Sequence, residues 1–511
     1  MRRWKTVPEQ NFRYKQEVIM KPRFLAVLFI CLFIVQAGWA QKPVEFDYND
    51  NQVMPDGIVG KRIQAIIDTF NSGDPERIRL MVTSQCVGMF RDEIPMTMHI
   101  DAFQGLYRET GGLDFYGIRA FTPERKGETW AIARDRIFQG WWSIMFRFDD
   151  TPDHFIMLLS IRPTMPPKDF EEPSLTEEEF LKQVKEVTAK LTDKEVFSGT
   201  LLIAKGDKVL LTMSAGEASK AFHVLNNIDT KFNLGSMNKM FTSTAIVQLA
   251  EKGKLSLDDP IGKYIDESWL PKEVTAKMTV RHLLTHSSGL GSYFNETYDK
   301  SSRTLFRKLD DYKILIKDDR PAFEPGTRFE YSNTGMFLLG VIIEKVTGED
   351  YFDYIRKTIY EPAGMTNTDS YEMDYPVENL AIGYSRDPKS PYGWQNNLYK
   401  HVIKGGPAGG GFSTVKDLHK FALALLAGKY VSKESLKDMW TDHLKSKYGY
   451  GFSVIESPAG KIVGHSGGFD GINSNLDIYL DSGYIIAVMS NFDQGANPIM
   501  RKTRQLVARL K

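Results

Sequence analysis

The chain has 511 residues, with 65 lysines and arginines balanced by 65 aspartates and glutamates, and 42% of its residues are hydrophobic. That length allows two or three domains with ample core. A formal net charge of zero points away from nucleic acid or an anionic surface as a partner.

Lys21 and Arg23 precede an apolar run over 24–35, and Gly38-Trp39-Ala40 stands before Gln41. A basic region, a short apolar core and a small-x-small end read as a signal peptide over about 20–40, with 1–19 as an upstream extension or a misassigned start. An uncleaved anchor is the alternative. The run is short for a membrane span, so none is expected after cleavage. The expected location is outside the cytoplasm, periplasmic or secreted. Cys31 leaves with the signal and Cys86 remains alone, so no disulfide within the mature chain is expected.

Residues 57–90 read as two helices, broken at Asn71-Ser72-Gly73-Asp74-Pro75. Strands are expected over 115–121, 129–138, 141–148 and 154–161. Helices followed by an antiparallel sheet form an α+β unit over 41–165. Trp130, Trp141 and Trp142 read as core more than as pocket walls. The proline- and charge-rich stretch RPTMPPKDFEEPSL leads to a linker at 166–175, and a second domain covers 176–511.

The second domain opens with an amphipathic helix over 176–191 and two strands over 197–204 and 208–214. FNLGSMNKMFTS, residues 232–243, follows. Apolar residues at Met237, Met240, Phe241, Ala245 and Leu249 predict a helix with one buried face. Ser236 stands near its N-terminus, and Lys239 lies one turn on, over the same face. A serine needs a base to become a nucleophile. A lysine supplies one if burial pushes its pKa well below the ordinary value of about 10.4. A second Ser-x-x-Lys, Ser413–Lys416, reads instead as a helix start capped by Thr414.

A helix is expected over 278–290. His282 and His286 stand at i, i+4, but no glutamate follows and no third ligand is evident. Structural hydrogen bonding is therefore preferred to a metal, and no metal or cofactor is expected. Tyr331-Ser332-Asn333 enters an apolar helix over 335–346. Residues 376–404, with Tyr384, Tyr392, Trp394 and Tyr399, read as a surface insertion near a site entrance. Pro407–Phe412 is a tight glycine loop with no Gly-Lys-Ser/Thr after it, so it is not a phosphate loop. Strands over 448–455, 461–464, 472–480 and 483–490 and a helix over 497–511 close the chain.

Ser236-x-x-Lys239, Tyr331-x-Asn333 and His465-Ser466-Gly467 stand in that order, with the phrases LSLDDPIGKYI, HLLTHSSGL, EPGTRFEYSNTGMFLLG, PAGGGFSTVKDLHKF and GHSGGFDG around them. Together they resemble the serine β-lactamase and penicillin-binding superfamily, in its class C-like branch of D-aminopeptidases, carboxypeptidases and esterases. The resemblance covers about residues 175–511 and implies its β-lactamase/transpeptidase-like fold. It makes Ser236 the acylated nucleophile, Lys239 its base or proton relay, and Tyr331 the second proton carrier. Asn333 would bind a substrate amide. The strand with His465, Ser466 and Gly467 would line the site, and the N–H groups of Ser236 and Gly468 would form the oxyanion hole. Residues 41–165 are similar to the cone-shaped nuclear-transport-factor-like (SnoaL-like) fold, on the phrase Phe70-Asn71-Ser72-Gly73-Asp74.

One departure is informative. His465 occupies the place where many penicillin-binding enzymes carry the lysine of Lys-Thr-Gly. A histidine with a pKa near about 6.5 is mostly neutral at pH 7 and holds a substrate carboxylate poorly. The expectation is an exported serine hydrolase acting on esters, amides or short D-amino-acid peptides rather than primarily on β-lactams. The rival readings are a non-enzymatic envelope sensor or binder, and a chain whose N-terminal domain binds a ligand or docks the hydrolase. The oligomeric state is left open.

Overall fold

The computed structural model describes residues 46–387 and 389–511. The expected signal peptide and Cys31 lie outside the described residues. Among those described, no helix is long and apolar enough to cross a membrane. They fall into two compact units. The smaller joins residues 46–48 to Phe121–Glu124, where Phe46 and Tyr48 meet the Phe121 ring edge to face. The larger holds residues 49–120 and 125–511.

The chain enters on β1 (Asp47–Asn51) and continues through α1 (Gly57–Ser72), α2 (Pro75–Gln85) and α3 (Met96–Thr110). Antiparallel strands β2 (Leu113–Thr122), β3 (Thr129–Asp135), β4 (Trp141–Phe148) and β5 (Ile156–Pro163) follow, giving a sheet in the order β1-β2-β3-β4-β5. Gly73, at φ +60°, ends α1, and Pro75 opens α2 with the Asp74 carboxylate accepting from the Glu76 N–H. Ile63, Ile66 and Phe70 of α1 bury against Trp142, Ile144 and Phe146 of the sheet. The four expected strands are present. The helix α3 and the strand β1 were not expected from the sequence. Trp130, Trp141 and Trp142 are buried. Cys86 is buried as well, and its thiol is pushed up to about 12 by that burial.

Residues 166–174 carry no helix or strand. Next come α4 (Glu177–Asp193), opened by a Thr176–Glu179 capping box, and the hairpin β6 (Gly199–Lys205) and β7 (Lys208–Ala215). The helices α5 (Asn238–Glu251), α6 (Asn333–Thr347) and α7 (Val415–Leu426) lead to β8 (Ser453–Ser457), β9 (Gly460–Phe469), β10 (Ile472–Tyr479), β11 (Tyr484–Ser490) and α8 (Ala496–Val507). The antiparallel sheet runs β8-β9-β10-β11-β6-β7, so the first two strands of this part pair beside its last. One face packs on α4 and α8 through Phe180, Val184, Ile499 and Leu506. The other packs on a helical layer through Leu202, Met240, Phe421 and Ala487.

Two expectations change here. Helix α5 is buried on every side from Asn238 to Leu249, not on one face, because it runs through the middle of the helical layer, with Phe241 between Tyr360 and Phe421. The helix expected over 278–290 is only the turn-and-a-half Val280–Leu284, and the backbone leaves it at His286 with φ +53°. The second Ser-x-x-Lys is a cap: the Thr414 hydroxyl accepts from the Asp417 N–H, and Lys416 pairs with Asp229.

The β3–β4 turn reaches the second sheet's outer layer. Phe138 joins the apolar cluster that contains Phe180 and Met500, and the buried Lys502 ammonium donates to the Phe138 carbonyl at 2.7 Å. Burying one phenylalanine in this way is worth about 1.5–3 kcal/mol.

Candidate active site

The serine turn is built by backbone packing. Gly235–Met237 form a single 3-10 turn ahead of α5, and Gly235 takes φ +51°. The Asn233 carboxamide fixes this turn, accepting from the Gly235 N–H at 2.8 Å and donating to the Gly410 carbonyl at 3.1 Å. Strand β9 lies directly against it. A Cβ on Gly467 would sit 1.9 Å from the Leu234 carbonyl oxygen, so only glycine fits. This contact brings Gly468 beside Ser236, and both border the same cleft.

Lys239 has no exposed surface, and burial pushes its pKa well below the ordinary lysine range. Its Nζ donates to Asn333 Oδ1 at 2.9 Å and to the Ala408 carbonyl at 2.5 Å. Two acceptors match the two N–H groups of a neutral amine, which leaves the lone pair as the proton-accepting group. Asn333 is held in turn by its Nδ2, which donates to Ser292 Oγ at 3.2 Å. The Gly409-Gly410 loop thus delivers a lysine ligand, the Ala408 carbonyl, and part of the cleft wall.

Tyr331 borders the cleft with Ser236, and burial raises its phenol pKa above the ordinary value, with the neighbouring Ser236 opposing the shift. The ring itself is 39% exposed at the cleft mouth and lies 4.8 Å from Lys239 Nζ. Lysine pushed down and tyrosine pushed up leave one group near Ser236 suited to accept a proton and one suited to keep its own.

Behind Tyr331 sits a cluster that the sequence did not disclose. The buried His286 ring lies 4.3 Å from the Tyr331 ring and 4.7 Å from the Tyr448 ring. His286 Nδ1 accepts from the Ser332 N–H at 3.1 Å, so its proton is on Nε2, which has no partner. His282 works as part of a helix cap with Thr279. Among the described residues, no group of three or more histidines, cysteines or carboxylates is placed to hold a metal ion.

Of the strand residues expected to touch substrate, only Gly468 lines the cleft. His465 is buried behind Tyr331. Its Nδ1 lies 2.5 Å from the Ser466 carbonyl, to which it donates, and its Nε2 lies 2.9 Å from the Tyr448 hydroxyl. Burial and the nearby Lys239 push its pKa down to about 3, so it is neutral, with both nitrogens occupied by protein. Ser466 does not reach the cleft and lines, with His465, Asn475, Asp477 and Arg504, a separate cavity of about 310 Å³. Gly467 is pressed against the serine turn.

A family model described as Beta-lactamase matches residues 184–509. The chain belongs to that family. It is 32% identical over 329 residues to Penicillin-binding protein 4* of Bacillus subtilis (strain 168), covering 60% of this chain and 70% of the relative. A penicillin-binding protein from Bacillus halodurans superposes with TM-score 0.57 at 30% identity, covering 64% of this chain and 98% of that one. A D-stereospecific amidohydrolase from a Streptomyces species gives TM-score 0.51 at 26% identity, over 60% of this chain and 93% of that one. The fold is the α+β, β-lactamase/transpeptidase-like arrangement of this family.

Part of the cleft wall comes from residues the sequence did not single out one by one, although His401 and Val402 fall in the 376–404 stretch expected near a site entrance. Tyr293, Phe294 and Tyr298 arrive from the segment after the short helix, Tyr298 on the turn Glu296–Lys300, and Phe469 meets Phe294 at 5.5 Å, with His401 and Val402 beside it. Of the four aromatics singled out in 376–404, none lines the cleft: Tyr384 is buried, Trp394 packs on Phe492, and Tyr392 and Tyr399 face solvent.

Proposed function

We propose that this chain is a serine hydrolase that works through an acyl-enzyme on Ser236. Its substrates are esters, amides or short D-amino-acid peptides rather than primarily β-lactams. The observation that carries the reading is the Lys239 amine, fully buried, with its two hydrogens engaged by Asn333 and Ala408, one helical turn from Ser236. A neutral amine there takes the Ser236 proton as Oγ attacks the carbonyl carbon. The tetrahedral oxyanion is held by the N–H groups of Ser236 and Gly468. Tyr331, kept protonated, gives its proton to the leaving oxygen or nitrogen and regains one from the Lys239 ammonium. Water then attacks the ester, losing a proton along the same path, and Ser236 is restored.

The neutral His465, buried behind Tyr331 with both nitrogens occupied by protein, supports low activity on substrates whose binding depends on a carboxylate. The basic, apolar and small-residue pattern before Gln41 supports work outside the cytoplasm.

The test is reaction of the protein with a fluorophosphonate, with the adduct located by peptide mass spectrometry. An adduct on Ser236 that is absent from Lys239→Ala is expected. A folded protein that takes no adduct at Ser236 would instead support the binding or sensor reading.

A further inference from the structure

The cleft at Ser236 has a volume of about 250 Å³, and among the described residues its wall holds no lysine, arginine, aspartate or glutamate. Its far side is an aromatic shell. Phe294 packs on Tyr298 at 4.9 Å and on Phe469 at 5.5 Å, and Phe469 packs on His401 at 4.8 Å. His401 is no exception to the missing charge. Burial pushes its pKa down to about 4, and its Nε2 is 2.9 Å from Asn397 Nδ2.

The charged groups nearest the wall are spoken for. Lys400 and Asp470, the neighbours of His401 and Phe469, pair with each other at 2.6 Å. Arg303 stacks on Tyr298 and donates to the carbonyls of Lys400 and Ser301, outside the cleft. The polar groups that do reach the cleft are neutral: Ser236, Asn233, Asn333, and the Tyr331 hydroxyl with its proton held on. A substrate carboxylate beside the scissile carbonyl would find no cation, and an α-ammonium would find no carboxylate. Either charge would lose its water without gaining a partner.

We propose that this cleft selects an uncharged acyl group with an aromatic or bulky apolar side chain, bearing neither a free carboxylate nor a free ammonium on the part that the cleft encloses. Resting on the hydrolase reading above, this narrows it to neutral acyl donors, N-blocked where they derive from an amino acid. Phe294, 41% exposed at the mouth, is a specificity-determining residue in this arrangement.

The test uses the full chain at neutral pH, with matched p-nitrophenyl esters of acetic, phenylacetic and 4-carboxyphenylacetic acids. The free and N-acetylated p-nitroanilides of D- and L-phenylalanine complete the set. Phenylacetyl is expected to exceed both other acyl groups in kcat/KM by about tenfold or more, and each N-acetyl anilide to exceed its free-amine form. Phe294→Arg places a cation at an exposed rim position and is expected to move the carboxyphenylacetyl-to-phenylacetyl ratio up by about tenfold. Equal or better turnover of the charged members, or a ratio unmoved by Phe294→Arg in the folded variant, overturns the proposal. The fluorophosphonate adduct separates the two levels. Labelling at Ser236 with a preference for charged substrates removes this inference alone, whereas no labelling removes the hydrolase reading with it.

Discussion

The His286 ring lies against the Tyr331 ring at a centroid distance of 4.3 Å, while its Nδ1 accepts from the Ser332 N–H at 3.1 Å. One buried imidazole therefore sets both the tilt of the proposed catalytic phenol and the backbone that carries it. His286→Ala is expected to lower kcat by about ten- to a hundredfold with little change in KM, because the hydroxyl of Tyr331 would lose its aim. His286→Phe, which keeps a ring but not the acceptor, is expected to fall between the two. Steady-state kinetics beside melting temperatures test this, and a change in KM alone would place His286 outside the catalytic machinery.

Lys239→Arg is expected to be as inactive as Lys239→Ala, at least about a thousandfold below the parent chain, since a guanidinium keeps its proton and cannot act as the base. Acylation by the parent chain is expected to fall as the pH is lowered and Lys239 becomes protonated, at a pH well below the ordinary lysine range. Burst kinetics on an activated ester read both outcomes.

Stability carries its own pH dependence. His465 is held down to about 3 and His401 to about 4 by burial. In the unfolded chain both titrate near about 6.5. Folded-state values below unfolded ones mean that the unfolded chain takes up protons first as the pH drops. The contribution of these two histidines is thus full above about 6.5 and is lost progressively on acidification toward about 3. His465→Gln is expected to flatten part of that loss, measured as denaturant midpoints at several pH values between neutral and acid.

Gly467→Ala is expected to abolish Ser236 labelling and to lower stability by about 1–3 kcal/mol, since its Cβ would stand 1.9 Å from the Leu234 carbonyl oxygen. The same substitution at Gly468, whose nearest such atom is 4.0 Å away, is expected to fold normally. Thermal unfolding together with adduct yield distinguishes the two variants.

Phe138→Ala is expected to cost about 3 kcal/mol and to leave kcat unchanged, because Phe138 plugs the cluster around Phe180 and Met500 on the side of the sheet away from Ser236. Limited proteolysis within 162–175, compared with the parent chain, would report the loosened contact.

What the sequence disclosed follows from how local each feature is. Ser236 and Lys239 are one helical turn apart, and Tyr331 and Asn333 open another helix, so their spacing alone brings each pair together. Histidine in place of lysine at 465 announced a neutral group, and burial makes it more so. Its direction was not legible, because which face of β9 meets the serine turn depends on the packing of Gly467 against Leu234, residues far apart in the chain. Which residues of 291–298 and 376–404 face the cleft, Tyr293, Phe294, His401 and Val402 among them, was not legible for the same reason: these segments have little regular structure and are positioned by contacts such as Tyr298 with the Lys400 carbonyl at 3.2 Å. Helix α3 has no side-chain N-cap after Pro95 and carries Gly105 in its middle, so the usual start and propensity signals were weak.

The burial of α5 on all sides has a consequence for how such a protein can change. No face of that helix is available for adaptation, so the proton-handling groups are locked to the scaffold. The 407–411 loop is tied to the helix through the Ala408 and Pro407 carbonyls and the Gly411 N–H, but the other surfaces that meet a substrate belong to separate segments, around 291–298 and 397–403 and at Phe469. New selectivity can be installed by replacing those segments while the helix is left untouched, which makes this chain a candidate for loop grafting rather than for redesign of its interior.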